Sequence, residues 1–143
     1  MNHIIDNLYL GSYTDSYNFS DIFKYEINKI INVSRECENK KNDLIRYYKF
    51  NINDQNDIDK SNLDFICEII SLNPSPTLIH CSNDKKRSIC FILYYLMKQN
   101  NYSLVNAIDF IKLKIPNLSL SSDYIKLLCE FDTSFDFDNY FEK

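Results

Sequence analysis

Short apolar blocks separated by polar turns run through most of the chain, and their spacing predicts its secondary structure. Residues 4–10 form two such blocks around a polar Asp6-Asn7 pair, which predicts two short strands joined by a turn. Runs rich in β-branched or aromatic residues predict three further strands, over residues 29–33, 47–52 and 77–80. Gly11 is expected in a turn after the opening strands.

Helical spacing dominates the second half of the chain. Leu63, Ile66, Cys67 and Ile70 recur every three or four residues, which predicts a helix over residues 59–71. Ser103 and one of Ser121 and Ser122 stand where helix caps are expected. The pattern predicts four more helices, over residues 15–24, 88–99, 103–114 and 123–131.

The order of these elements indicates the fold class. Strands alternate with helices early and helices dominate late, which is typical of an α/β domain. We therefore expect a single compact domain over residues 1–143, with a small central mixed or parallel sheet flanked by helices. Its core should span about residues 4–131, and residues 132–143 form an acidic, aromatic tail.

Composition and charge narrow the class of protein. The 143 residues are 45% hydrophobic and 25% charged, which is typical of a folded domain. No run approaches 18 apolar residues and the first residues lack a secretory signal, so we expect no membrane span and a place in the cytoplasm or nucleus. A net charge of −4 argues against nucleic acid as a partner. Without a long N-terminal extension to exchange, a monomer is expected.

Cysteine and glycine usage excludes several kinds of site. The five cysteines form no CxxC pair and no Cys/His cluster, so we expect no metal, no cofactor and no disulfide framework. Cys67, Cys90 and Cys129 fall on apolar helical faces and are expected in the core. Gly11 is the single glycine of the chain, so neither GxGxxG nor a Walker loop can be written.

The richest chemistry lies in the run His80-Cys81-Ser82-Asn83-Asp84-Lys85-Lys86-Arg87-Ser88, between a predicted buried strand and a predicted helix. A loop at a helix N-terminus offers free backbone N–H groups to an anion. Cys81 is expected there as a nucleophilic thiolate. Arg87, six positions later, can return a bidentate guanidinium to the same centre. The plainer alternative is a buried cysteine beside a basic surface turn.

This His-Cys-x5-Arg-Ser run resembles the signature of cysteine-dependent protein tyrosine phosphatases. The rest of the chain is similar to their small, atypical dual-specificity branch, virus-encoded members included. Asn7-Leu8-Tyr9-Leu10-Gly11-Ser12, Ile31-Asn32-Val33-Ser34 and Tyr94-Tyr95-Leu96-Met97 resemble further motifs of that branch. The resemblance covers residues 7–131 and implies hydrolysis of phosphotyrosine and phosphoserine or phosphothreonine in proteins.

The resemblance also implies roles for individual residues. Cys81 would attack phosphorus and form a phosphocysteine, and Ser88 would donate a hydrogen bond to the leaving sulfur. Backbone amides of residues 82–87, from Ser82, Asn83, Asp84, Lys85 and Lys86 to the Arg87 clamp, would bind the phosphate oxygens. His80 would be a buried residue that supports the Cys81 thiolate and does not act as a base. Asp54 fits the general acid best, with Asp57 and Asp59 as nearby alternatives.

One position departs from the family pattern. Asp84 stands where the family has a glycine that serves a left-handed or tight backbone, and its charge opposes a bound phosphate. A catalytically impaired phosphate-binding module therefore remains an alternative. Lys85 and Lys86 raise another, a phosphatase of inositol lipids or of RNA 5′-triphosphates, although a solvated basic turn is the simpler explanation for the pair.

Overall fold

A five-stranded sheet in the order β1-β2-β5-β3-β4 forms the middle of the molecule. The computed structural model describes residues 1–72 and 74–141. The strands within those residues are β1 (Asn2–Ile5), β2 (Leu8–Gly11), β3 (Lys29–Asn32), β4 (Arg46–Lys49) and β5 (Thr77–His80). The α-helices of the same part are α1 (Phe19–Lys24), α2 (Lys60–Ser71), α3 (Lys86–Gln99), α4 (Leu104–Lys114), α5 (Ser122–Leu128) and α6 (Phe137–Phe141).

The sheet register brings four loops to one edge. Strands β2, β5, β3 and β4 run parallel, and β1 pairs antiparallel with β2. Gly11 and Asn32 lie on either side of His80, and Lys49 lies opposite Asn32. The four parallel strands therefore end in one row, and the segments that follow them meet at the carboxyl edge, where open α/β sheets bind ligands.

Side-chain alternation along the central strands divides the core between the two faces of the sheet. Ile31 and Ile79 pack with helices α2 to α5 in the larger apolar cluster. Their neighbours Ile30 and Leu78 face the other way, toward Ile22 of α1. Both faces are covered, which explains why all four positions of β3 and of β5 are buried and why adjacent residues at the centre of each strand are apolar. The predicted α/β fold class with a small mixed sheet is confirmed.

Several element boundaries differ from those expected. The predicted helix over residues 15–24 is a 3₁₀ turn at Thr14–Tyr17 followed by α1, because the Asn18 side chain accepts from the Asp21 amide and starts a new helix. Strand β4 ends at Lys49, three residues early. Helix α3 begins at Lys86, two residues early, so Lys86 and Arg87 lie in its first turn.

Residue 11 must be glycine because its surroundings leave no room for a side chain, and not because it lies in a turn. It ends β2 with a negative φ. A Cβ added there would lie 2.9 Å from both the Asp15 Cβ and the Leu78 Cδ1. Strand β2 and the 3₁₀ turn that carries Asp15 can approach β5 this closely only because residue 11 has no side chain.

The core continues past residue 131 into the acidic, aromatic tail. Phe135 is 8% exposed and joins the larger apolar cluster, and Tyr140 of α6 packs against it. Asp132 accepts a hydrogen bond from the Leu104 amide (2.8 Å) at the start of α4. The tail up to residue 141 is thus part of the fold, and residues 142 and 143 lie outside the described residues.

Candidate active site

Cys81 is the first residue after β5, in the middle of the row of strand ends, and it is fully buried. Its Sγ lies 3.4 Å from the Ser88 Oγ, one helical turn into α3. The Ser88 hydroxyl is also 3.0 Å from the Lys85 backbone oxygen, to which it can donate. A hydroxyl has one hydrogen, so Ser88 donates either to this carbonyl or to a thiolate at Cys81.

His80 supports the loop from inside the sheet. The ring is fully buried, and its Nδ1 lies 3.0 Å from the Cys81 backbone oxygen. A carbonyl only accepts, so Nδ1 carries the hydrogen and donates it. Nε2 has no partner among the described residues, and burial lowers the pKa of His80 to about 4. The imidazole is therefore neutral near pH 7 and holds the Cys81 peptide unit in place.

The left-handed residue of the loop is Lys85, not Asp84 as the comparison with a family glycine suggested. Lys85 has a φ of 63°, whereas Asp84 is absent from the positive-φ positions. Lys85 carries this unfavourable conformation at the N-cap of α3. Asp84 is exposed, and its Oδ1 accepts from the Ser82 hydroxyl (2.9 Å) and the Lys86 amide (3.2 Å). The carboxylate is turned onto its own loop.

Arg87 is held in place from two directions. Nη1 donates to the Glu36 Oε1 (2.8 Å) and to the Ile52 backbone oxygen (2.7 Å), and Nη2 donates to the Glu36 Oε2 (2.5 Å). The residue is 6% exposed. Three of its five N–H donors are used. The other two, Nε–H and the second Nη2–H, share one edge of the guanidinium and have no acceptor within residues 1–72 and 74–141.

Glu36 is a site residue that the sequence did not reveal. Its paired hydrogen bonds to Arg87 lower the pKa of Glu36 to about 2, and the same carboxylate raises the pKa of Arg87. At the sequence level Glu36 is one acidic residue in a polar loop. The signal that could have found it is its place just after β3, since loops at the carboxyl ends of neighbouring parallel strands meet.

The loop that carries Glu36 is fixed by two polar side chains of the sheet. Asn32 is fully buried, donates to the Cys37 backbone oxygen (2.7 Å) and accepts from the Ser34 amide (3.0 Å). The Lys49 Nζ donates to the backbone oxygens of Ser34 (2.8 Å) and Arg35 (3.2 Å). These bonds satisfy the buried polar groups and orient Glu36 toward Arg87.

Asp54, Asp57 and Asp59 all lie in the loop after β4, and each caps a structure. The Asp54 Oδ1 accepts from the Asn56 amide (2.9 Å) at the start of a 3₁₀ turn, Gln55–Asp57. The Asp57 Oδ2 accepts from the Asn53 amide (2.7 Å). Asp59 caps α2 through the Asn62 amide (2.8 Å).

Of the three, Asp54 follows most closely on the anchor of the loop, which is the bond from Arg87 to the Ile52 backbone oxygen. Tyr124 of α5 is a second residue that the sequence did not single out. Burial raises the pKa of its phenol to about 12. Helix α5, which carries Tyr124, contacts both α3 and the 3₁₀ turn Gln55–Asp57.

Two kinds of feature are absent from the described part of the chain. Its residues include no group of three or more His, Cys, Asp or Glu side chains that could hold a metal ion. None of the helices in residues 1–72 and 74–141 is both long and apolar enough to cross a membrane.

Comparison with known sequences identifies relatives over most of the chain. The family model of the dual specificity phosphatase catalytic domain matches residues 8–134. Human dual specificity protein phosphatase 9 is 33% identical over 138 residues, 92% of this chain and 36% of that protein. "Putative tyrosine phosphatase 123R" of Invertebrate iridescent virus 6 is 30% identical over 133 residues, 90% of this chain and 89% of that protein.

Solved structures agree with this assignment at the level of the fold. Human DUSP28 superposes with a TM-score of 0.81 at 19% identity, covering 94% of this chain and 96% of that one. The chain spans about a third of the length of its human sequence relative, phosphatase 9, and nearly all of its viral one. With the family model matched from Leu8 to Ser134 and both motif and fold in place, the chain belongs to the dual specificity phosphatase family.

Proposed function

We propose that the protein hydrolyses phosphomonoesters, most readily phosphotyrosine and phosphoserine or phosphothreonine in proteins, with Cys81 as the nucleophile. The Cys81 Sγ attacks phosphorus and the ester oxygen leaves with the proton of a general acid. Water then attacks the phosphocysteine, which returns the thiolate and releases inorganic phosphate. Ser88 stabilises the leaving sulfur by turning its hydroxyl hydrogen from the Lys85 carbonyl to the thiolate.

The observation that carries this proposal is the orientation of Arg87. Glu36 and the Ile52 backbone oxygen engage one side of the guanidinium, and the Nε/Nη2 edge is left for two phosphate oxygens. Backbone amides of residues 82–87 supply the other donors, next to the positive end of α3. Because the guanidinium of Arg87 is held before substrate binds, little reorganisation of this group opposes the transition state.

Asp54 is proposed as the general acid, for two reasons. Asp59 is committed to the cap of α2, and Asp57 bonds back to the amide of Asn53. One carboxylate oxygen of Asp54 accepts a hydrogen bond from the Asn56 amide. Arg87 donates to the Ile52 backbone oxygen, two residues before Asp54, and so links the Asp54 loop to the proposed phosphate site. The second carboxylate oxygen of Asp54, Oδ2, has no hydrogen-bond partner within residues 1–72 and 74–141, so it is the oxygen proposed to carry the proton.

The nucleophile is tested by hydrolysis of a small aryl phosphate. We expect Cys81→Ser to abolish turnover and Cys129→Ser to retain it, because a hydroxyl at 129 can keep the bond to the Ile125 backbone oxygen (3.3 Å). A rapidly quenched reaction with labelled substrate should show phosphate on the wild-type chain. Turnover that survives Cys81→Ser would contradict the proposal.

The general acid is tested by the choice of leaving group. Asp54→Asn should reduce kcat by about 10²- to 10⁴-fold for a phenyl-type leaving group, and much less for one acidic enough to depart without a proton. Asp57→Asn is the control three residues away in the same 3₁₀ turn, and it keeps a side-chain oxygen for the Asn53 amide. Equal losses with both leaving groups would assign Asp54 to structure and not to proton transfer.

A second function is favoured by Asp84 alone. Its carboxylate occupies the Lys86 amide that a phosphate oxygen would use, so a phosphate-binding module with little turnover is the alternative. Phosphopeptide binding that depends on Arg87, without Cys81-dependent hydrolysis, would support this alternative over the enzyme.

The substrate class is decided by a phosphate-release panel of phosphopeptides, inositol phospholipids and RNA 5′-triphosphate. We expect phosphopeptides to be the best substrates. Lys85 is the N-cap of α3 and Lys86 is its first residue. If an inositol lipid or an RNA 5′-triphosphate is the true substrate, replacing both lysines by serine should reduce hydrolysis of that substrate most. Phosphopeptide turnover far below that of the other two would reject the protein-phosphatase assignment.

A further inference from the structure

The Asp84 carboxylate has a position of its own in the phosphate loop. Its Oδ1 accepts from the Lys86 amide at 3.2 Å and from the Ser82 hydroxyl at 2.9 Å. Lys86 opens α3, so its amide is one of the N–H groups that lack a partner within the helix. The N-cap residue Lys85 supplies no side-chain acceptor. Asp84 therefore acts as a side-chain cap for the first amide of α3 when no anion is bound in the loop.

The same amide belongs to the set that the proposed function assigns to phosphate. A carboxylate and a phosphate oxygen compete for one donor, and both are anionic. Asp84 is exposed, so its side chain can rotate into water and release the Lys86 amide. Even then its charge remains beside the bound dianion and opposes it.

We propose that Asp84 is a built-in competitor of the substrate phosphate, capping α3 in the free protein and giving up that bond when phosphate binds. This inference rests on the proposed function for the identity of the site. Its consequence is a loop that is ordered without an anion and holds phosphate weakly. The product phosphate is therefore a poor inhibitor and leaves readily.

Two substitutions separate the charge from the cap. Asp84→Asn keeps a side-chain oxygen for the Lys86 amide and removes the charge, whereas Asp84→Gly removes both. We expect Asp84→Asn to lower the Kd of inorganic phosphate about tenfold at low salt, and Asp84→Gly to lower it at least as far. The gain for Asp84→Asn should shrink in 1 M salt, because exposed charges are screened there.

Thermal unfolding gives an independent readout of the cap. Without phosphate, Asp84→Gly should lower the Tm by about 3 °C and Asp84→Asn by less. Saturating phosphate should bring the glycine variant back to the wild-type Tm or above it. Ser103→Ala is the matched control, because Ser103 caps α4 through the Asn106 amide (3.1 Å), away from the loop. It should lose stability with no change in phosphate affinity.

The experiment titrates inorganic phosphate into the wild type, the two Asp84 variants, Ser103→Ala and Arg87→Ala, and follows aryl phosphate hydrolysis in parallel. Lower KM and lower phosphate inhibition constants in the Asp84 variants, with kcat changed much less, are the expected kinetic pattern. Phosphate affinities within twofold of the wild type, alongside Cys81-dependent hydrolysis, would overturn this inference and leave the proposed function standing. Tighter phosphate binding by the Asp84 variants, with no hydrolysis by any variant, would support this inference and reject the proposed function. Absence of both phosphate binding and hydrolysis in every variant would reject both.

Discussion

Arg87 shows how single residues prepare this site. Its side chain extends from the first turn of α3 and donates hydrogen bonds to Glu36 and to the Ile52 backbone oxygen before any ligand is present. Lysine could not replace it, because an ammonium cannot hold a carboxylate bidentately on one edge and present two parallel donors on another. Glu36 acts through Arg87 and is a positioning residue for the proposed reaction.

Glu36→Gln should lower kcat/KM by about 10- to 100-fold, because the amide accepts one hydrogen bond, carries no charge and lets the guanidinium rotate. Steady-state hydrolysis of an aryl phosphate measures this, with Glu38→Gln as a control that removes the same charge two residues away. A Glu36→Gln enzyme as fast as Glu38→Gln would show that Ile52 alone orients Arg87.

The same pair predicts a pH effect on stability. The pKa of Glu36 is lowered from 4.5 to about 2 by Arg87, so its contribution is present above pH 4.5 and is lost as the pH falls through 2. Glu36 is about half exposed, and we expect the wild type to exceed Glu36→Gln in unfolding free energy by about 1 kcal/mol at pH 6. Urea unfolding at pH 6 and at pH 2 should show this difference disappearing.

His80 predicts a second pH dependence, at higher pH. Burial lowers its pKa from 6.5 to about 4, so between these values the unfolded chain binds a proton that the folded chain does not. Stability from His80 is complete above pH 6.5 and is lost as the pH falls through 4, by up to about 3 kcal/mol. Urea unfolding should show a steeper acid loss in wild type than in His80→Asn. Parallel curves would mean that the ring binds a proton as readily in the folded chain as in the unfolded chain.

At the scale of elements, the site is made by strand ends that share one register. Gly11, His80, Asn32 and Lys49 form a row across β2, β5, β3 and β4. The loops that follow carry the buried thiol, the Arg87 partner and Asp54. Helix α3 then adds the free amides at its start, and its apolar body, fully buried at Leu93 and Leu96, anchors the loop to the core.

The carboxylates in the loop after β4 cap different elements: Asp54 and Asp57 cap a short 3₁₀ turn, whereas Asp59 caps α2. Asp59→Ala should cost about 1 kcal/mol of unfolding free energy, because it breaks the capping box of α2, and should leave kcat/KM within about twofold. Chemical denaturation and steady-state kinetics on the same preparation measure both quantities. A large kinetic loss at Asp59, with Asp54→Asn unaffected, would move the acid role to Asp59.

At the scale of the whole molecule, two apolar clusters sandwich the sheet, and the larger one reaches into the C-terminal segment. Phe135 is buried in it, and α6 packs next to α5. The domain therefore needs residues beyond 131 to complete its core on the side where α3, α4 and α5 lie.

Phe135→Ala should destabilise the protein by about 3 kcal/mol, because it removes a buried aromatic ring from the larger cluster. Phe65→Ala is the matched control, since Phe65 is 52% exposed and should lose much less. Urea unfolding gives both values. Equal losses would mean that the C-terminal segment only rests on the surface.

Much of this structure follows from local sequence pattern. The strands at Thr77–His80 and Lys29–Asn32 and the helix at Leu104–Lys114 lie within a residue or two of their predicted bounds, because β-branched runs, apolar spacing and the Ser103 cap act locally. Cys81, Arg87 and Ser88 could be picked out together because one short loop carries all three. The predicted start of α3 is wrong by two residues because Lys86 and Arg87 are polar, and their helical position depends on the loop that precedes them.

The sequence by itself determined the fold class, the place of the His80–Ser88 segment between a buried strand and a helix, and the alternation of buried strands with capped helices, since each depends on residues close together in the chain. Only the tertiary structure decided that Glu36 grips Arg87, 51 positions away, and that Lys85, not Asp84, takes the left-handed backbone. It also decided that Asp84 turns onto the Lys86 amide and that Gly11 is a matter of close packing. These features depend on which strand ends become neighbours and on how the loop closes over α3, and neither is encoded in local periodicity.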